Sequence, residues 1–157
     1  MTAPECTTCN QTSRLTTGKE VYPHRPDLYA KSIYVCDGCN GRVGCHPDTT
    51  TALGTPANGA LRKERSATHA LIDPIWRHSS KSPCYERGMS RKSIKGIQRK
   101  ARTRVYSFMA EKMGLRDDQA HIGMFDIEQC QVARAAFHGV SYDDIRLWDR
   151  DQKRVAA

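Results

Sequence analysis

Hydrophobic and polar positions follow two different rhythms along this chain. In the N-terminal third, apolar residues are sparse, with Thr, Gly, Pro and charges between them. Lys31-Ser-Ile-Tyr-Val-Cys36 is β-branched and aromatic, which predicts a strand; Asn40-Gly41 turns the chain, and Arg42-Val-Gly-Cys45 returns as another. Residues 10–32 predict a loop with one or two short strands, and residues 46–51 an irregular segment. From Thr55-Pro56 the period lengthens to that of a helix. Thr55 suits an N-cap and Pro56 the first helical position, so a first helix is expected to start there. Leu61, Ala67, Leu71, Ile72, Ile75 and Trp76 carry its apolar face, and Pro74 within that pattern predicts an end or a kink near Asp73. A connection over residues 77–90 follows. Ile94, Ile97, Ala101, Val105, Phe108 and Met109 then predict a helix from Ser90 to Met113, stopped by Gly114. Asp126-Ile-Glu-Gln129 has the form of a capping box for a third helix through Cys130, Val132, Ala133 and Ala136 to Phe137, closed by Gly139. Ser141 caps a short fourth helix ending near Trp148. The expected class is α+β: short strands packed on a small helical domain of three to four helices. Residues 1–52 form the ribbon, 53–150 the helical domain and 151–157 a polar tail.

Cysteine spacing changes the picture of the ribbon. Cys6-Thr-Thr-Cys9 and Cys36-Asp-Gly-Cys39 each leave two residues between thiols, a turn that aims both sulfurs at one point. Two such turns supply four sulfurs at about 2.3 Å from a tetrahedral Zn²⁺. The gap from Cys9 to Cys36 is longer than usual for such pairs, yet short enough for a looped ribbon. Two disulfides, or four unrelated thiols, are the competing reading. Four protein ligands leave no open position, so one structural zinc held by Cys6, Cys9, Cys36 and Cys39 is expected. Such a site is worth roughly 10–16 kcal/mol in isolated fingers, enough to fold a polar segment. Of the seven cysteines, that leaves Cys45 and Cys130 as small core residues or a spare ligand, and Cys84 as a free thiol.

Charge points to a partner. Lys and Arg number 25 against 17 Asp and Glu, a formal net charge of +8, which favours a polyanion and nucleic acid first. No acid lies between Glu86 and Glu111, while Arg87, Arg91, Lys92, Lys95, Arg99, Lys100, Arg102 and Arg104 do. They fall on the face that the apolar stripe leaves free, and such a face neutralises phosphates. A solvated helix face is the plainer reading of the same run. Arg62, Lys63 and Arg65 extend the patch, and Tyr22, Tyr29 or Tyr34 offer rings for stacking on an exposed base. DNA is favoured over RNA. The polar, acidic opening is unlike a signal peptide, and no run of about 18 apolar residues exists, so no membrane is involved. A reducing, cytoplasmic setting is therefore expected, the host cytoplasm if the gene is a phage's.

His46, His69, Asp73 and His121 form a further constellation. His69 and Asp73 are four residues apart, one above the other on a helix face, which suits a shared metal or a histidine oriented by a carboxylate. An open metal site built from these four would activate water for hydrolysis. Buried histidines bonded to a neighbouring carboxylate or carbonyl are the alternative.

Tyr34-Val-Cys-Asp-Gly-Cys39 leading into Val43-Gly-Cys-His-Pro47, then Leu53-Gly-Thr55, Leu61-Arg62 with Arg65, and Ala67-Thr-His-Ala70 with Asp73-Pro-Ile-Trp76, resemble a phage and prophage family. The family is known as a zinc-finger-containing domain of unknown function. His121-Ile-Gly-Met-Phe-Asp126 with Gln129-Cys130 resembles its closing motif, so the likeness runs from Cys6 to about Val132. It implies a Cys₄ zinc ribbon and a phage or prophage origin, and no established activity. It also implies that His46, His69 and His121 belong to the family pattern. The stretch from Arg87 to Lys100 is longer than that pattern leads one to expect. Three functions follow as expectations: a zinc-ribbon protein binding nucleic acid through its basic helix, a metal-dependent nuclease or hydrolase using the histidine set, and a phage inhibitor of a host defence or replication protein.

Overall fold

The computed structural model describes residues 3–85 and 88–155; Arg87, counted above in the basic run, lies outside the described residues. Three strands, β1 (Arg14–Thr17), β2 (Ser32–Cys36) and β3 (Gly41–Gly44), form an antiparallel sheet in the order β1-β2-β3. Leu15 faces Tyr34 across the first pair, and Val35 and Cys36 face Arg42 and Gly41 across the second. The connection between β1 and β2 contains one helical turn, α1 (Gly18–Val21), and a 3-10 turn, Pro26–Leu28. These two turns meet so closely that a Cβ on Gly18 would lie 1.8 Å from the Leu28 carbonyl oxygen, a position only glycine tolerates.

The first long helix, α2 (Gly59–Arg77), starts later than Thr55-Pro56. Ala57 is drawn into pairing with β3 instead: Arg42 N–H donates to the Ala57 carbonyl at 3.0 Å, and Ala57 N–H donates back at 3.3 Å. With that backbone engaged, Asn58 supplies the cap, its Oδ1 accepting from Leu61 N–H at 3.0 Å. Pro74 does not end the helix, which runs on to Arg77. Asp73 ties the last turn together, accepting from Trp76 Nε1 at 3.1 Å and from Arg77 Nη2 at 2.9 Å.

The second long helix, α3 (Arg91–Met113), has the bounds its pattern predicts. Ser90 accepts from Ser93 N–H at 3.2 Å, and Gly114 closes the helix at φ 65°, the left-handed conformation of a C-cap. The helix α4 (Ile127–Ala136) ends before Gly139, at φ 74°. The last helix, α5 (Tyr142–Val155), opens on a reciprocal cap, with Ser141 N–H donating to Asp144 Oδ2 at 2.8 Å and Asp144 N–H to Ser141 Oγ at 3.2 Å. It continues past Trp148 to Val155, through the first five of the residues expected as a tail. Lys153 reaches Asp149 one turn back, and the cations of its last turn suit the helix dipole.

The chain separates into two compact units, Met1–Arg65 with Gly123–Ile127, and Ser66–Ile122 with Glu128–Ala157. Cys6, Ile33, Tyr34, Cys36, Leu61 and Phe125 are buried in the first; Ile72, Val105, Phe108, Met109, Phe137 and Ile145 in the second. In the second unit α3 packs on α5, where the Phe108 ring meets Phe137 and Trp148 edge-on at 5.4 and 5.3 Å. No helix among the described residues is long and apolar enough to cross a membrane.

Candidate metal centre and nucleic-acid interface

Both cysteine pairs sit on tight turns of the ribbon. Each second cysteine is followed by an asparagine in the left-handed region, Asn10 at φ 57° and Asn40 at φ 54°. Asparagine tolerates that conformation better than most residues, and it reverses the chain directly after the sulfur. In the first turn Asn10 N–H also donates to the Cys6 carbonyl at 2.8 Å. The second turn joins β2 to β3 and buries Gly41 beneath the sulfurs, where a Cβ would lie 3.1 Å from both Cys39 Sγ and Cys6 Sγ.

The four sulfurs converge. Cys6 and Cys39 Sγ lie 3.4 Å apart, Cys9 and Cys36 Sγ 3.3 Å apart, and all four fall within 4.8 Å of one another. A tetrahedron with bonds of about 2.3 Å has edges of about 3.8 Å, so the cage is of zinc size. The sulfurs are far beyond bonding distance for a disulfide, and all seven cysteines are free thiols. Burial pushes the Cys39 thiol up to about 12, and the Cys6 thiol beside it adds to the rise. At Cys6 burial is the largest influence and opposes ionisation, but the Thr8 and Cys9 N–H groups and the Cys39 and Cys9 thiols together outweigh it, and the group falls to about 7. At Cys9 the Gln11 N–H favours the thiolate, yet the Cys36 thiol and burial leave it raised. Thiols this close cannot all ionise alone; a dication removes the conflict, and Cys₄ donors are those zinc takes in closed structural sites.

Residues 2–138 match the family model of a zinc-finger-containing domain. The chain belongs to that family. Neither the curated proteins nor the solved structures yield a match. One structural zinc on Cys6, Cys9, Cys36 and Cys39 is the cofactor that the family and the cage support.

Among the described residues, these cysteines are the group of three or more metal-capable side chains that comes together; His46, His69, Asp73 and His121 do not form one. His46 is exposed, on a turn closed by its own N–H donating to the Thr51 carbonyl at 2.8 Å. His69 Nδ1 lies 3.4 Å from Asp73 Oδ1, but that carboxylate already serves Trp76 and Arg77. The exposed His121 ring lies 6.2 Å from that of Tyr106. Cys130 is fully buried on α4, Cys45 is half-buried and raised by burial, and Cys84 is exposed.

The basic residues divide into free and engaged. Arg91, Lys92, Lys95, Arg99, Lys100 and Arg102 are all exposed on α3, whose buried residues include Ala101, Val105 and Met109. Arg102 lies over two rings, 5.0 Å from Tyr106 and 5.8 Å from Trp76. Arg104 is different: its guanidinium is held by Asp149 and by the Tyr142 hydroxyl. Lys63 is exposed, whereas Arg62 is half-buried and donates to the Ala57 carbonyl at 2.9 Å.

Arg65 leaves the expected patch altogether. It is only 8% exposed, and its fork donates to the Phe125 carbonyl at 2.7 Å, the Thr55 carbonyl at 2.7 Å, Thr55 Oγ1 at 2.9 Å and Thr7 Oγ1 at 3.2 Å. It fastens the returning segment Gly123–Ile127 inside the first unit. Gly54 helps by admitting the Gly123 carbonyl to within 2.1 Å of where a Cβ would sit. The sequence held a signal for this: Leu61, Arg65, Thr68 and Ile72 recur at helical spacing, and all four are buried.

Proposed function

We propose that this is a phage- or prophage-type protein of the cytoplasm that binds nucleic acid, DNA over RNA, through the outer face of α3. The zinc is structural. The observation supporting this reading is the pairing of charges. Of the four cations on α5, three (Arg146, Lys153 and Arg154) have an acid within 4.0 Å, and Arg14, Arg25 and Arg116 elsewhere are likewise paired. On α3, Arg91, Lys92, Lys95, Arg99, Lys100 and Arg102 have no ion-pair partner among the described residues. Six uncompensated cations along one helix repel one another unless an external anion neutralises them, and the phosphates of a nucleic acid would do so. Arg102, levelled over Trp76 and Tyr106, presents its guanidinium with less loss of rotamer freedom than its neighbours.

The test is an electrophoretic shift on duplex DNA and on RNA, with the wild-type protein and with Arg99→Glu, Lys100→Glu and Arg102→Glu combined. The triple variant abolishes the shift while keeping its zinc and helical signal. An unchanged shift overturns the proposal. Recovery of one stoichiometric host protein that survives nuclease treatment favours the inhibitor reading instead.

A further inference from the structure

A pair of uncompensated cations, independent of the six on α3, lies in the ribbon unit. Arg42 on β3 and Arg62 in the first turns of α2 meet around Ala57. The Ala57 carbonyl accepts from Arg42 main-chain N–H at 3.0 Å and from Arg62 Nη1 at 2.9 Å. Arg42 lays its guanidinium over the Tyr22 ring, 4.7 Å from the centroid, and its Nε is buried without a hydrogen-bond partner. Neither arginine has an ion pair among the described residues. Burial first, and then the charge of Arg42, push the Arg62 guanidinium below its ordinary value. Two half-buried like charges held together with no acid are costly, and the backbone fixes them there: β3 is paired with β2 on one side and with Ala57 on the other.

We propose that Arg42 and Arg62 form a binding site for a phosphate group, with Tyr22 as one wall. A phosphate offers enough acceptor oxygens to meet two guanidinium forks at once, and its charge relieves their repulsion. The group is either the terminal phosphate of a nucleotide or an internal phosphodiester.

The experiment follows the arginine Nε–H signals of the zinc-loaded full chain by ¹H–¹⁵N spectroscopy. Inorganic phosphate, thymidine 5′-monophosphate and an oligothymidylate lacking terminal phosphate are titrated separately against matched chloride. The Arg42 and Arg62 signals move with at least one of them. Movement with the first two alone assigns a terminal phosphate, and movement with the oligomer assigns the phosphodiester. Arg62→Gln weakens the response about tenfold or more at unchanged zinc content. Signals that stay still in all three titrations of the wild-type protein overturn the site, as does wild-type affinity in a zinc-loaded Arg62→Gln. The Arg99, Lys100 and Arg102 triple variant retains the response, so failure of the α3 reading and failure of this site are distinguishable.

Discussion

Arg104 Nε donates to Asp149 Oδ2 at 2.8 Å, joining α3 to α5 through a pair in which both side chains are largely covered. The same carboxylate oxygen accepts from Lys153 at 2.8 Å, and Arg104 also donates to the Tyr142 hydroxyl at 3.1 Å. One cation of the basic run thus belongs to the helix packing and not to the outer face.

Removing that carboxylate gives a pH-dependent loss. Burial alone would raise Asp149, but donors on Lys153 and Arg104 outweigh it and hold the group below the usual carboxylate range. A depressed folded value means that the contribution is present at neutral pH and is lost as pH falls through it. Asp149→Asn therefore costs about 1–2 kcal/mol at pH 7, and the gap between variant and wild type closes below about pH 4. Urea unfolding at both pH values, read as the difference between the two proteins, checks this; a gap that persists in acid contradicts it.

The second knuckle carries two glycines that differ in what stands behind them. A Cβ on Gly41 meets two sulfurs at 3.1 Å and the Ala57 carbonyl carbon at 3.3 Å, all of them fixed. On Gly38 the obstacle is the Gln11 amide, the end of a flexible side chain that can swing away. Gly41→Val should lower zinc affinity at least about tenfold, whereas Gly38→Ala changes it little. Competition with a chromogenic chelator measures both, and equal affinities would remove Gly41 from the cage.

Helix α3, the ribbon strands and the cysteine cage were legible in the sequence because each is specified locally, by a cap, a period or a spacing. Ser90 and Gly114 mark their helix without reference to anything distant. What was not legible depends on contacts far along the chain. Thr55-Pro56 has good helix-start chemistry, yet Ala57 pairs with Arg42 and moves the start to Gly59. Arg65 looked like one more surface cation because its partners, Thr7 and Phe125, are remote in sequence. The histidine set failed to assemble for the converse reason: the His69–Asp73 spacing is real, but Trp76 and Arg77 use the same carboxylate.

Zinc removal should divide the molecule by unit. None of Cys6, Cys9, Cys36 and Cys39 belongs to the second unit, whose core is Val105, Phe108, Met109, Phe137 and Ile145. Cys39→Ser, or a strong chelator, takes zinc from about one per chain to none and removes the coordination energy that holds the ribbon. The helical circular-dichroism signal survives in large part, while amide protection is lost across β1, β2 and β3. Retention of protected ribbon amides without metal would show that the sulfurs pack adequately alone.

Arg65 and Lys95 are both cations of the original patch, and they should respond in opposite ways to substitution. Arg65→Lys keeps the charge but not the fork, so the carbonyls of Phe125 and Thr55 and the hydroxyls of Thr7 and Thr55, themselves bonded to each other, lose the guanidinium donors in a largely covered place. The expected cost is about 2–3 kcal/mol of stability, with the salt dependence of nucleic-acid binding unaltered. Lys95→Ala on the exposed face of α3 removes charge and touches no packing, so stability changes by less than about 0.5 kcal/mol. The slope of log affinity against log salt should instead fall by about 1 for the lost phosphate contact. Paired unfolding and salt-titration curves on the two variants measure both quantities. A steeper loss of binding in Arg65→Lys than in Lys95→Ala, at equal stability, would return Arg65 to the interface and place the proposed contact surface on the ribbon instead of α3.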